Sequence, residues 1–287
     1  MESLLNESPG EPVAAAPMKT AWIVALCLPL GATASLLGIG GGIFLVPFLI
    51  HAARVGERSA RGTSLGLVSG IAVFGFLSTW ILGGVTPRWE IFLLVTPFSI
   101  LMARQSAKWM KHLPLILIRR LFALFVLLAG LRLVATIPAV QEYMGFATGD
   151  SGLYVYEMGP ALLFLPLLGA LVGLVGPLVG IGGALLMIPL LDFLYIGLPF
   201  SEIRATALLI VAPTALFGFL RHLEHGTADA TWVKRLIVPS VLGSLGGSRV
   251  AVWIGAKALQ GVFGLFLCIV GMSMMLASFL PKRTARA

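Results

Sequence analysis

Two glycine-rich phrases are the residues of this sequence best suited to bind a ligand. GIGGGIFLVP begins at Gly38 and GIGGALLMIP begins at Gly180, and five of the ten positions are identical in register. Inside an apolar segment, a run of glycines indicates unwound backbone that lines a cavity. Two such breaks at corresponding places in the two halves of a chain point to the binding site of a transporter.

The backbone amides at these breaks are suited to anions. If a short helix begins at each glycine turn, its first N–H groups carry partial positive charge and point into the membrane. Glycine also lets a ligand approach the backbone closely. The same pattern arises where small residues simply allow tight helix packing. The candidate substrate-binding positions are Gly40, Gly41, Gly42, Ile43, Gly182, Gly183 and Ala184.

The pattern Arg-x-Thr also occurs once in each half, at Arg61 and at Arg204. A guanidinium can donate two parallel hydrogen bonds to an anionic pair of oxygens, so we expect these arginines at opposite mouths of the site. The alternative is an interfacial arginine that reaches lipid headgroups. Thr63, Ser64 and Thr206 are candidate hydroxyl donors to the substrate, although such hydroxyls also bond to their own helix backbone.

Two ionisable residues are candidates for coupling transport to an ion gradient. A histidine titrates near neutral pH in water, so His222 could relay protons, unless it lies in a water-exposed loop. Asp192 is the only acidic residue inside a long apolar run, where a carboxylate is usually functional, unless it marks the end of a hairpin. Either a proton or Na⁺ could then supply the driving force.

Composition places the chain in the membrane. Hydrophobic residues make up 58% and charged residues 11%, whereas soluble domains carry about 25% charge. The net charge of +8 is expected to mark cytoplasmic loops, and nucleic acid is not an expected partner. No Walker A, H-E-x-x-H or G-x-S-x-G motif is present, so we expect neither an enzyme nor an ATP-driven pump. No cysteine cluster predicts a metal or cofactor site.

The repeat divides the chain into two halves. RGTSL at residue 61 matches RATAL at residue 204, and later glycine and tryptophan positions keep nearly the same offset. Such an internal repeat predicts two equivalent structural units. The predicted organisation is a polar tail at 1–19, a first transmembrane repeat at 20–137, an extracytoplasmic linker at 138–158, a second repeat at 159–281 and a basic tail at 282–287.

The first apolar run of each half is longer than a single span, and two interpretations compete. The run could be one interrupted helix, or a hairpin that turns at the glycines and leaves on its original side. With hairpins, most of the 20 Lys and Arg residues fall on one side of the membrane, whereas single crossings divide them almost evenly. The positive-inside rule therefore favours hairpins. The predicted fold is all-α: two inverted-topology repeats, each a re-entrant-like hairpin followed by three transmembrane helices, with both termini cytoplasmic.

The glycine phrase at 38–42, followed by Pro47 and the pair Thr63-Ser64 and repeated from Gly180, resembles the TauE/SafE family. Members of this family are also called sulfite exporter-like proteins or 4-toluene sulfonate uptake permeases. The resemblance extends over nearly the whole chain. It implies a secondary transporter in the inner membrane of a bacterium or archaeon.

The second half carries its own part of this resemblance. Residues 204–226 read RATALLIVAPTALFGFLRHLEHG, in which His222 and Gly226 occupy the places of a histidine and a glycine in the family pattern. Ala207 stands where the family commonly has serine, and Ala184 replaces a glycine. If the hydroxyl pair binds substrate, the second half is expected to contribute less.

We therefore expect a secondary transporter, and an exporter, of small oxyanions such as sulfite, sulfonates, sulfoacetate or related carboxylates. The resemblance implies the oxyanion class, and the repeat predicts alternating access around a site at the membrane midplane. An anion channel, or a membrane protein that interacts with partners and transports nothing, would share several of these features. The sequence predicts neither the anion nor the oligomeric state.

Overall fold

The computed structural model describes residues 17–109, 115–135, 158–180, 182–194 and 198–279. These residues form ten α-helices and no strand, and the predicted tails and linker lie almost wholly outside them. The helices are α1 (Pro17–Leu37), α2 (Gly42–His51), α3 (Glu57–Leu77), α4 (Trp89–Trp109), α5 (Leu115–Ala135), α6 (Met158–Val179), α7 (Ala184–Leu194), α8 (Phe200–Glu224), α9 (Ala230–Ile254) and α10 (Ala256–Phe279). A π-helical turn, Ser78–Leu82, extends α3.

Several of these helices are long and apolar enough to cross a bilayer. Four meet this criterion within the described residues, and their apolar surfaces carry exposed leucine, valine and isoleucine side chains that suit contact with lipid. The four spans are Glu57–Leu82, Phe200–Glu224, Ala230–Ile254 and Ala256–Leu276, and the shorter apolar helices are Ala21–Leu37, Gly42–His51, Phe164–Val179 and Ala184–Leu194. The prediction of an all-helical, polytopic membrane protein is confirmed.

Both glycine phrases separate two helices. A side chain on Gly41 would contact Ala34 of α1, and one on Gly183 would contact Val172 of α6. Each turn therefore packs against the helix that precedes it. Three glycines in each turn have φ between 69° and 88°, a region that costs an L residue roughly 1–2 kcal/mol. These glycines are Gly38, Gly40, Gly41, Gly180, Gly182 and Gly183.

The two halves are packed into each other and share one core. The largest helix interfaces join α1 to α9, α4 to α6, α3 to α8 and α5 to α10, so each pairs a helix from one half with a helix from the other. The first two interfaces are counterparts, because α1 corresponds to α6 and α9 corresponds to α4 in the repeat. In both halves, therefore, the first helix packs against the fourth helix of the other half.

Small residues allow the two counterpart interfaces to close. On α9, a Cβ at Gly243 would lie 2.0 Å from the carbonyl oxygen of Leu28. A Cβ at Gly247 would lie 1.9 Å from the carbonyl oxygen of Ala32. On α6, a Cβ at Gly173 would lie 2.1 Å from the carbonyl oxygen of a residue of α4. Glycines spaced four apart bring helix backbones into contact in this way in membranes.

Candidate functional site

The two glycine turns meet at the same pair of side chains. A Cβ on Gly40 would lie 3.0 Å from Cγ1 of Val68 and 3.6 Å from Cγ1 of Val211. A Cβ on Gly182 would lie 2.6 Å and 3.6 Å from the same two atoms. Val68 of α3 and Val211 of α8 are fully buried. The structure thus brings the two predicted sets of amides together, and two valines fill the space beside them.

The first amides of both short helices are free to donate hydrogen bonds to a ligand's oxygen. Helix α2 begins after Gly41, which has no side chain to cap the amides of Gly42 and Ile43. No acceptor for those two amides, or for those of Ala184 and Leu185 in α7, is found among the described residues. Unsatisfied N–H groups at a buried helix start are a typical place for an anion.

Arg204 is buried, which differs from the expectation that it lies at an open mouth. Its side chain is 1% exposed. Its Nη1 donates to the carbonyl oxygens of Ser35 and Leu36 at 3.1 and 3.2 Å, and its Nη2 donates to the Thr79 hydroxyl at 3.2 Å. Within the described part of the chain, no carboxylate lies within ion-pair distance of Arg204, and its Nε has no hydrogen-bond partner.

Arg61 lies in a different environment although its sequence pattern is the same. It forms an ion pair with Glu57, one turn earlier on α3, and the Glu57 side chain is 56% exposed. Both arginines pack on the glycine turn of the other half. A Cβ on Gly180 would lie 3.1 Å from the Arg61 side chain, and one on Gly38 would lie 2.2 Å from Cγ of Arg204.

The candidate threonines bind backbone of the opposite half. The hydroxyl of Thr63 accepts a hydrogen bond from the amide of Asp229, and that of Thr206 accepts one from the amide of Arg88, both at 2.9 Å. Thr206 also donates to the carbonyl oxygen of Glu202 at 2.7 Å. Protein groups therefore occupy these hydroxyls in the present conformation, and their contact with substrate stays a prediction.

Ser64 contacts the second glycine turn directly. Its hydroxyl lies 3.0 Å from the carbonyl oxygen of Gly180 and 2.8 Å from that of Arg61, and it can donate to either. The matching position in the second half is Ala207, which lacks this hydroxyl. Because Ala207 replaces a serine at this position, the first glycine turn lacks the hydroxyl contact that Ser64 makes with the second.

The two candidates for ion coupling have different surroundings. His222 is 3% exposed, and its Nδ1 lies 2.8 Å from the hydroxyl of Thr227, so it does not stand in a water-exposed loop. Asp192 lies at the far end of α7 and forms an ion pair with Arg132 at 3.4 Å. It also accepts a hydrogen bond from Gln260 and borders a cavity of about 290 Å³.

Sequence reasoning missed a set of buried serines around Arg204. The hydroxyls of Ser35 and Ser248 lie 2.5 Å apart, and Ser248 also lies 3.1 Å from the carbonyl oxygen of Gly75. The Ser78 hydroxyl is buried and lacks a partner in the described chain. One signal was available, since Ser240, Ser244 and Ser248 recur every fourth residue and therefore share one face of α9.

Comparisons with known proteins agree with this architecture. The family model described as sulfite exporter TauE/SafE matches residues 3–133 and 165–287. The probable membrane transporter protein YunE of Bacillus subtilis is 25% identical over 273 residues, which cover 87% of this chain and 94% of YunE. YdhB, another probable membrane transporter protein of that organism, is 22% identical over 254 residues, covering 88% of this chain and 99% of YdhB.

A third relative comes from an archaeon. The probable membrane transporter protein MJ0441 of Methanocaldococcus jannaschii is 34% identical over 116 residues, 37% of this chain and 43% of MJ0441. No solved structure matches the chain. Because the family model covers nearly all of it, with both glycine turns inside the matched residues, the chain belongs to the TauE/SafE family of membrane transporters.

Proposed function

We propose that this protein is a secondary transporter that exports small oxyanions, such as sulfite, sulfonates, sulfoacetate or carboxylates, by alternating access. The observation that carries this proposal is the convergence of Gly40 and Gly182 on the same two valines, Val68 and Val211. A site built jointly by two equivalent halves can open to either side when one half rocks against the other. Both halves contribute a glycine turn to it.

Hydrogen bonds between the halves support the hairpin topology. If each long apolar run crossed the membrane once, Thr63 and Asp229 would lie on opposite faces, and so would Thr206 and Arg88. The 2.9 Å bonds within both pairs would then be impossible. Hairpins place both members of each pair on one face. These contacts therefore favour inverted-topology repeats. The distribution of Lys and Arg then supports cytoplasmic termini in a prokaryotic inner membrane and an extracytoplasmic linker at 138–158.

The charges around the turns favour an anion over a cation. Helix-start amides without an acceptor, at Gly42 and Ala184, supply positive potential, and Arg204 supplies a full positive charge behind the first turn. Of the six carboxylates described in the structure, four pair with other cations, as Glu202 does with Arg88, and Asp229 caps a helix, whereas Glu90 lies in the first turn of α4. A cation substrate would find few negative groups near either turn.

Coupling to a gradient is assigned to His222 in this proposal. Asp192 already forms an ion pair with Arg132. His222 is buried near the hydrogen bond between Thr63 and Asp229, at the membrane face where access to the site would change. A proton is the ion that a histidine would carry. Within the described residues, no group of three or more His, Cys, Asp or Glu side chains is placed to hold a metal ion.

Transport by purified protein in liposomes tests the function. We expect saturable uptake of at least one of sulfite, methanesulfonate, sulfoacetate and acetate, with exchange when the same anion is present on both sides. If the protein transports none of these four anions, the proposal is refuted. Large unitary currents in planar bilayers would instead identify an anion channel, and full cellular function of a protein with bulky side chains at Gly40 would indicate a non-transporting role.

A further inference from the structure

We propose that Arg204, Ser78 and Thr79 form a buried subsite for an oxyanion headgroup that carries a single negative charge, a sulfonate or a carboxylate. The inference rests on the proposed function, because it assumes that the transported substrate is an anion. It adds residues of the π-helical turn to the site, and it assigns the main charge of the site to one half of the protein.

No carboxylate among the described residues neutralises the charge of Arg204 in this conformation. Its side chain is 1% exposed, and its three hydrogen bonds go to two carbonyl oxygens and one hydroxyl. All three bonds are 3.1–3.2 Å long, whereas charge-assisted bonds to a carboxylate are shorter, about 2.7–2.9 Å. A buried charge is costly unless an opposite charge joins it. An anionic ligand would supply that charge.

Two hydrogen-bond donors of the proposed subsite are unused. Nε of Arg204 and Oγ of Ser78 are both buried and without a hydrogen-bond partner in the described residues. Ser78 precedes Thr79, whose hydroxyl accepts from Arg204 at 3.2 Å and donates to the carbonyl oxygen of Gly75 at 2.8 Å. An oxyanion that bound beside Thr79 could accept from both unused donors. Buried donors left unpaired cost about 1–3 kcal/mol each, so such an anion would be favoured.

The local backbone is unusual at this point. Residues 78–82 form a π-helical turn, closed by a hydrogen bond from the Gly83 amide to the Ser78 carbonyl oxygen at 3.2 Å. The corresponding end of α8 in the other half stays α-helical to Glu224. Single π-helical turns inside helices frequently mark functional sites. The turn therefore distinguishes this half at the residues that contact Arg204.

The counterpart arginine is unsuited to the same role. Arg61 is preceded one turn earlier by Glu57, which neutralises it, whereas Phe200 stands at the matching place before Arg204. The subsite thus exists once, beside the first glycine turn. Gly38 makes room for it, since a Cβ there would lie 2.2 Å from Cγ of Arg204.

One fixed positive charge sets the expected selectivity. A guanidinium matches the two coplanar oxygens of a sulfonate or carboxylate and neutralises one charge. A sulfate dianion in the same place would bury a second, unpaired negative charge, and chloride would use only one donor direction. We therefore expect methanesulfonate and acetate to bind more tightly than sulfate or chloride.

The test measures KM and maximal rate for methanesulfonate uptake in proteoliposomes, together with stabilisation of the detergent-purified protein by methanesulfonate. The variants are Arg204→Lys, Thr79→Val and Ser78→Ala. Thr214→Val is the matched control, because Thr214 is also fully buried and also donates to its i−4 carbonyl oxygen at 2.8 Å, but it pairs with Ser99. We expect KM to rise roughly tenfold or more in the three site variants and to stay unchanged in the control.

Two results would overturn the subsite. One is uptake with unchanged KM in folded Arg204→Lys and Thr79→Val proteins, which leaves the transport function intact. The other is sulfate competing as well as methanesulfonate. If the unmodified protein moves no anion but methanesulfonate still stabilises it, and less so in Arg204→Lys, the subsite stands and the transport proposal fails. If the protein neither takes up methanesulfonate nor is stabilised by it, both the subsite and the transport proposal are refuted.

Discussion

The amide of Asp229 donates a 2.9 Å hydrogen bond to the hydroxyl of Thr63 and thereby joins the second half of the chain to the first. The amide of Arg88 makes the same bond, at the same length, to Thr206. Both threonine side chains are almost completely buried. The same hydrogen bond between the halves, called here a tie, therefore occurs twice. One joins the first part of α3 to the loop before α9, and the other joins the first part of α8 to the loop before α4.

Replacing these threonines should weaken the ties. Thr63→Val or Thr206→Val leaves a backbone N–H without its acceptor, which we expect to cost about 1–3 kcal/mol of stability, whereas Thr→Ser keeps the hydroxyl. Thermal unfolding in detergent would measure the difference between Val and Ser at each position. Equal midpoints for Val and Ser would show that the bond contributes nothing.

Alanine at the glycine turns should strongly slow transport. Gly182→Ala places a Cβ at 2.6 Å from Val68, in a backbone region with φ of 75° that costs roughly 1–2 kcal/mol for an L residue. Gly40→Ala meets the same valine at 3.0 Å. The initial rate of anion uptake should fall at least tenfold in both.

Gly246→Ala is the control for those two variants. Gly246 lies on the exposed side of α9, and a Cβ there contacts nothing within 4 Å. Alanine is also a better helix former than glycine. We expect unchanged uptake and equal or slightly higher stability. Uptake by Gly40→Ala and Gly182→Ala that matched this control would exclude the turns from the transport site.

The counterpart helix interfaces should respond alike to added methyl groups. Gly247→Ala brings a Cβ to 1.9 Å from the Ala32 carbonyl oxygen, and Gly173→Ala brings one to 2.1 Å from that of Ser99. Because a backbone carbonyl cannot rotate away, the helices must separate, and overpacking of this kind costs about 1–3 kcal/mol or more. Lower yields of monodisperse protein and lower unfolding midpoints would confirm this. Normal behaviour of either variant would mean that its interface is looser than described.

Labelling of single cysteines in intact cells should reveal the topology. With hairpins, a membrane-impermeant maleimide is expected to label Thr86→Cys and Lys257→Cys from outside. It should label Arg58→Cys and His225→Cys only after permeabilisation. All four positions are exposed, and the parent protein reports the background from native cysteines. Labelling of Arg58→Cys from outside together with protection of Thr86→Cys would indicate one crossing per apolar run.

Much of the architecture follows from local sequence. Composition alone demands a bilayer, since so few charges cannot keep a soluble surface hydrated. The glycine phrases predict the helix breaks because positive φ is a property of single residues, and all six glycines that the turns use have it. The family resemblance rests on those same residues, and the family match confirms it.

The different surroundings of the two Arg-x-Thr patterns could not be predicted from local sequence. Arg61 and Arg204 have the same local pattern, yet one is paired with Glu57 and the other is buried without a carboxylate. The sequence by itself determined that this chain is an internally repeated, helix-broken membrane protein, because periodicity, hydropathy and glycine content are local properties. Only the tertiary structure decided which arginine is buried without a described carboxylate and that Thr79 contacts it. Burial and pairing depend on what the opposite half packs against each side chain.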